Sequence, residues 1–108
     1  LYVGLKTQKS EIENEDISLI VLNATGIGGL ADRISIRMRY RGFKAGEYGN
    51  FSKNNLSESA VIIRNGQIEK GFMVGRECRI NRIYAKTDRR LLNNAVLILG
   101  NDYYEITR

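Results

Sequence analysis

Histidine is absent from the 108-residue sequence. Ser-His-Asp and Cys-His catalysis are thereby excluded, as is any His-ligated metal site. Cysteine occurs once, at Cys78, so neither an intrachain disulfide nor a thiolate cluster can form. Apolar residues nowhere run for the roughly 18 positions that a spanning helix needs. Proline is missing too, where about 5% is usual. With the frequent Asn, Ile and Lys, this reads as compositional bias and points to no function. No metal or organic cofactor is expected.

The remaining composition, 43% hydrophobic and 27% charged, is that of an ordinary globular domain. The length suits one domain, large enough to hold a core without staples. Leu1 stands where a complete chain has Met, which reads as a segment of a longer or processed protein. Leu1-Tyr2-Val3-Gly4-Leu5 is read either as the trailing edge of a membrane anchor or as the start of a linker. Residues 1–16 lack periodicity and are expected to form a linker; the domain is placed at 17–108.

The formal net charge is +5, and its placement is uneven. Glu11, Glu13, Glu15 and Asp16 form an acidic lead-in. From Arg33 to Arg90 there are fourteen Lys/Arg against five Asp/Glu. A basic body favours polyanions: nucleic acid, an anionic lipid surface, or phosphate-bearing wall polymers. It equally suits a surface that merely keeps a small domain soluble.

Ile17–Leu22 is β-branched and apolar and predicts a buried strand. Asn23-Ala24-Thr25-Gly26 follows as a turn. Ile27, Leu30, Ala31, Ile34 and Met38 then recur with helical spacing, and Gly42 marks a helix stop. Phe43–Tyr48 predicts a second strand closed by Gly49-Asn50, and Ser52–Ser57 a polar loop. Ala60–Ile63 predicts a third strand, followed by an Asn65-Gly66 turn. A second helix is expected from Gln67 to about Glu77, with Ile68, Gly71, Phe72 and Gly75 on one face. Arg79–Ala85 is a weaker strand, Thr87–Asn94 a loop or a short helical turn, and Ala95–Leu99 a strong closing strand. The order βαββαββ predicts an α/β (α+β) two-layer sandwich: a mixed sheet with two helices on one face. A ferredoxin-like split βαβ arrangement is the nearest common relative.

Three features bear on function. The strand–helix turn Asn23–Gly29 ends at a helix N-terminus, whose free N–H groups and partial positive charge suit a carboxylate or phosphate. Neither the dinucleotide glycine spacing nor a Walker A lysine is present. The same residues also suit a purely conformational turn: Gly26 left-handed, Thr25 or Asn23 capping, Gly28 and Gly29 letting the helix approach the sheet. On the outer side of the first helix, Arg33, Arg37 and Tyr40 share a face, with Ile36 opposite the core. This resembles binding-surface composition, although single exposed apolar residues are common. Near the second helix, Cys78 is expected to be a small buried hydrophobe, and Gly71 and Gly75 to permit close helix–sheet packing. The carboxylates Glu47, Glu58, Glu69, Glu77, Asp88 and Asp102 are singly placed and show no glycosidase-type pair.

The run Ile20-Val21-Leu22-Asn23-Ala24-Thr25-Gly26-Ile27-Gly28-Gly29-Leu30-Ala31 resembles the opening of the LytR C-terminal domain family. That opening is a strand, then V-L-N-G-T/S-G, then G-L-A entering a helix; Ala24 departs from its usual Gly. Gly42-Phe43 and Gly49-Asn50 match the family's G-F and G-N pairs. Val96–Tyr103 is similar to its closing V-x-L-G-x-D-Y. The resemblance runs from about Ile17 to Tyr104 and is loose from Asn65 to Asn94. It implies an extracytoplasmic, non-enzymatic module of a bacterial cell envelope, membrane-anchored in the whole protein, that associates with the wall. On this reading Asn23, Thr25, Gly26, Gly28, Gly29, Arg33, Arg37 and Tyr40 contact peptidoglycan, an attached anionic polymer or an envelope protein partner. The alternative is nucleic-acid binding through a basic ferredoxin-like fold. A third reading is oligomerisation through the Ile36–Tyr40 surface.

Overall fold

The computed structural model describes residues 13–64, 68–86 and 94–106. Five strands and two helices follow in the expected order: β1 (Ser18–Asn23), α1 (Leu30–Tyr40), β2 (Lys44–Asn50), β3 (Ala60–Arg64), α2 (Ile68–Cys78), β4 (Ile83–Lys86) and β5 (Ala95–Leu99). Short 3-10 turns flank them at Asn14–Asp16 and Tyr103–Glu105. The sheet order is β2-β1-β5-β3-β4. All neighbours are parallel except β3 and β5. This is the expected two-layer mixed-sheet sandwich.

The ferredoxin-like expectation does not hold. β1 pairs directly with β2, and β3 directly with β4, so neither βαβ unit is split by an inserted strand. Each helix crosses over a single adjacent pair, and β5 joins the two units.

Alternation on the strands sets the layers. Leu19, Val21, Val61, Ile63, Ala95, Leu97 and Leu99 point to the helices. They meet Leu30, Ala31, Ile34 and Met38 from α1, and Val74 and Cys78 from α2. β5 is buried along its whole length, because its other face, Val96 and Ile98, packs with Ile20, Leu22 and Ile62 beneath Phe51 and Leu56. The 51–59 loop is fastened there by Leu56 N–H donating to the Ala24 carbonyl (3.1 Å) and Asn101 N–H to that of Leu56 (2.7 Å). The three inner strands, β1, β5 and β3, therefore present Ile20, Leu22, Val96, Ile98 and Ile62 on the helix-free face. No aromatic base-stacking platform of the kind RNA-binding sheets use is found on them.

Several boundaries differ from the sequence expectation. α1 starts at Leu30, three residues late, and Ile27 is exposed rather than part of the core face. Gly29 is its N-cap at φ 75°, and no side chain caps it; Asn23 and Thr25 are occupied elsewhere. Gly28 and Gly29 do not serve close packing, since a Cβ on either would meet nothing within 4 Å. Gly49 and Asn50 belong to β2 rather than closing it. β4 starts at Ile83, because Arg79 adopts φ 59° and Ile80 N–H turns back to the Gly75 carbonyl (2.8 Å), a left-handed helix stop.

On α2 the buried stripe is Gly71, Val74, Gly75 and Cys78. Ile68 and Phe72 lie half outside it, at 52% and 51% exposure. The glycines pull the helix axis toward the sheet, so the stripe centres on them. A Cβ on Gly71 would collide with Ile63, and one on Gly75 would sit 2.9 Å from the Ile80 carbonyl oxygen. The close approach expected of this pair is thus present.

The described part of the lead-in, residues 13–16, touches the body: Asn14 Nδ2 donates to the Arg41 carbonyl at 2.7 Å. Leu1–Leu5, the Asn65-Gly66 turn and most of the Thr87–Asn94 loop lie outside the described residues.

Candidate functional site

The Asn23–Ile27 turn is held by its own side chains. Asn23 Oδ1 accepts from Thr25 N–H (2.9 Å) and from the Thr25 hydroxyl (2.6 Å). Asn23 Nδ2 donates to the Ile27 carbonyl (2.7 Å), and Thr25 Oγ1 accepts from Ile27 N–H (3.0 Å). Asn23 and Thr25 are both buried. An Asn two residues before a Thr forms this cross-linked turn because each short side chain reaches backbone two to four residues on. Gly26 supplies the left-handed step at φ 82°. Two of the expected contact residues, Asn23 and Thr25, therefore shape the turn and have little left for a ligand.

The turn delivers Gly28, Gly29 and the first turn of α1 to the carboxyl end of the parallel pair β1/β2. In open α/β sheets that edge is where crevices form. A cleft of about 190 Å³ lies there, lined by Asn23, Gly29, Ala31, Asp32, Tyr48, Gly49 and Asn50. Asp32 stands in the first turn of α1, where a carboxylate complements the helix dipole. The side chains of Asp32, Tyr48 and Asn50 make no hydrogen bond or ion pair to another described residue. Tyr48 is 51% exposed. Sequence reasoning missed all three. The alternation of β2 carries a signal, because Tyr48 pairs with Val21 of the core face yet stands half-exposed on an edge strand beside the first turn of α1.

Arg33, Arg37 and Tyr40 share the outer face of α1, as expected, with Ile36 beside them. All four are exposed, Tyr40 at 89%. Neither Arg33 nor Arg37 forms a salt bridge among the described residues. The other helix arginines are committed to backbone. Arg39 Nη1 donates to the Ala45 carbonyl (2.6 Å), and Arg41 to the carbonyls of Glu77 (3.3 Å) and Ile106 (3.2 Å). The eight expected contact residues thus divide into a spent turn (Asn23, Thr25, Gly26), an exposed backbone stretch (Gly28, Gly29) beside the cleft, and a free basic face.

A second cluster ties the opposite side of the sheet. Asp102 Oδ1 accepts from the backbone N–H (2.8 Å) and hydroxyl (2.7 Å) of Ser59. Ser59 Oγ accepts from Gly100 N–H (2.8 Å). Arg82 bridges Glu58 (2.9 Å) and Asp102 (3.3 Å) and donates from Nε to the Ser59 carbonyl. Glu58 and Asp102 are thus brought together after all, but around one guanidinium that joins the starts of β3 and β4 to the end of β5. A Cβ on Gly100 would strike the Glu58–Ser59 backbone.

Cys78 is fully buried with its Sγ 3.8 Å from Met38 Sδ. Burial pushes its thiol up to about 12, against a smaller opposing pull from Arg41. A thiol so raised is not a nucleophile near neutrality, in keeping with its expected role as a small apolar residue.

The family described as LytR cell envelope-related transcriptional attenuator matches residues 16–103. The chain belongs to that family. Membership makes this a cell-envelope-related domain. The residues that resemble the family's opening form the Asn23–Thr25 cross-linked turn, and those that resemble its close include Gly100 and Asp102 of the Ser59 cluster. The soluble domain of a conserved hypothetical secreted protein from Mycobacterium marinum has a similar fold: TM-score 0.73, 16% identity, over 92% of this chain and 68% of that one. The C-terminal domain of RV0431 is also similar, at TM-score 0.48 and 20% identity over 86% of this chain and 77% of that one. None of the curated proteins matches the sequence. No described helix is long and apolar enough to cross a membrane.

Proposed function

We propose that this domain is a non-enzymatic, extracytoplasmic wall-binding module, carried by a membrane-anchored protein and docking on peptidoglycan or an anionic polymer attached to it. The observation that carries the reading is the free face of α1. Arg33, Arg37 and Tyr40 stand exposed without an ion pair or side-chain hydrogen bond among the described residues, while the neighbouring Arg39 and Arg41 are consumed by the fold. Family membership supports the envelope setting, and so does the secreted character of the Mycobacterium marinum protein. An exposed aromatic at the end of a row of two guanidinium groups offers stacking area and charge for carboxylates or phosphates of the wall. The nucleic-acid reading lacks a comparable observation.

Co-sedimentation with purified sacculi, at low and high salt and with a nucleic-acid competitor, tests this. The domain is expected to pellet with sacculi and to resist displacement by the competitor. Arg33→Glu/Arg37→Glu removes two units of charge at each site, taking the net charge from +5 to +1, and is expected to abolish most of the pelleting at low salt. Unchanged pelleting of that variant refutes the assignment of this face. Wild-type domain that stays in the supernatant at both salts refutes wall binding itself and points to an envelope protein partner.

A further inference from the structure

We infer that the cleft between α1 and β2 is a saccharide subsite that takes an uncharged sugar ring, with the Tyr48 ring as platform and Asp32 and Asn50 as partners for its hydroxyls. This deepens the wall-binding reading and rests on it.

The lining decides the ligand class. Among the described residues that line it no Lys or Arg stands, and the one charged residue is Asp32. An anion entering the cleft meets a carboxylate with no cation to offset it. The phosphate or carboxylate expected at the Gly26–Gly29 turn is therefore disfavoured, because Asp32 already occupies the first turn of α1 with negative charge. A sugar hydroxyl both donates and accepts. A carboxylate accepts, and an amide does both, so Asp32 and Asn50 cover both needs. Hydroxyl donation to an ionised carboxylate is the stronger kind of hydrogen bond. The half-exposed Tyr48 ring offers a flat apolar surface, which suits the C–H face of a pyranose. The absence of a side chain at Gly29, where a Cβ would meet nothing within 4 Å, leaves room for a ring beside it.

The charges fall into a consistent division. The cleft takes the neutral glycan, and Arg33, on the next helical position after Asp32 and outside the cleft, faces the acidic substituents of the same polymer.

The test is an NMR titration of the isotopically labelled domain, first with the tetramer of N-acetylglucosamine and separately with inorganic phosphate. The tetramer is expected to produce saturable shifts at Asp32, Tyr48 and Asn50, and phosphate none there. Tyr48→Ala is expected to weaken tetramer binding roughly tenfold. Tyr48→Phe and Tyr48→Trp retain it, since the ring rather than the hydroxyl carries the contact, and they also control for folding. Asp32→Asn weakens it, since a neutral amide accepts a hydroxyl hydrogen bond less strongly than a carboxylate does. The proposal is overturned by the lack of any saturable shift with the tetramer, by phosphate shifting the same residues instead, or by tetramer binding to Tyr48→Ala as to wild type. Sacculus pelleting separates the two failures. If Tyr48→Ala pellets fully while Arg33→Glu/Arg37→Glu does not, the subsite falls and wall binding stands. If wild type does not pellet, wall binding falls and the tetramer titration alone decides the subsite.

Discussion

Asp102 holds the hydroxyl and backbone N–H of Ser59 with one oxygen and Arg82 with the other. Asp102→Ala leaves the buried Ser59 donors without their acceptor, so a loss of about 2–3 kcal/mol is expected in urea unfolding, with the slope unchanged. Gly28 and Gly29 should behave differently from each other. Gly28 has open space around its Cβ position and no positive φ, so Gly28→Ala should leave stability unchanged or raise it by about 0.5 kcal/mol. Gly29→Ala should cost about 1 kcal/mol for the left-handed φ. Cys78 gives a pH signature. Its thiol ionises near 9.0 when exposed and only at about 12 when folded. Above pH 9 the unfolded state therefore gains stability by ionising, and the protein is expected to lose stability as pH rises from 9 toward 12. Cys78→Ala should lack that part of the alkaline loss, and the native thiol should resist a disulfide reagent until the protein unfolds. At this scale the sequence displayed motifs without their reasons. Asn23, Thr25, Gly100 and Asp102 stand out by their pattern, but a hydrogen bond from residue 59 to residue 102 has no local signature.

The helices show where periodicity succeeds and where it misleads. Leu30, Ala31, Ile34 and Met38 gave the core face of α1 correctly, because large apolar residues outnumber glycine there. On α2 the same counting placed Ile68 and Phe72 inside, since hydropathy weights a large side chain above none. Packing follows distance of approach instead, and the two glycines set it. Gly71→Ala should therefore destabilise by about 2 kcal/mol despite the better helix propensity of Ala. Pairing it with Ile63→Ala, which removes the atoms in collision, should recover part of that loss in a double-mutant cycle. β2 is an edge strand with an irregular register opposite Ser18–Ile20. The Arg39 guanidinium covers its Ala45 carbonyl, which discourages edge-to-edge pairing. Tyr48 escaped notice because strand alternation assigns it to the core side, whereas it stands on the edge strand beside the first turn of α1 and is half-exposed.

For the whole molecule, element order was legible because βαββαββ follows from local signals alone. The order of strands across the sheet was not. Nothing local tells β1 to take β2 directly as its neighbour, or β5 to enter between β1 and β3. The separation of charge is likewise a property of the assembled surface: eight residues read as one site divide into a turn, an exposed backbone stretch and a basic face, and the cleft adds Asp32 and Tyr48, which no motif marked. The position of β5 has a further consequence for how the molecule comes into being. Its last strand in sequence is the third in the sheet, flanked by β1 and β3. Until Ala95–Leu99 arrives, each βαβ half carries an unpaired apolar strand edge, and no hydrogen bond of the sheet joins the halves. A chain whose Ala95–Leu99 has yet to dock must therefore keep Ser18–Asn23 and Ala60–Arg64 from finding other partners, and completion of the sheet reports that its last strand has arrived intact.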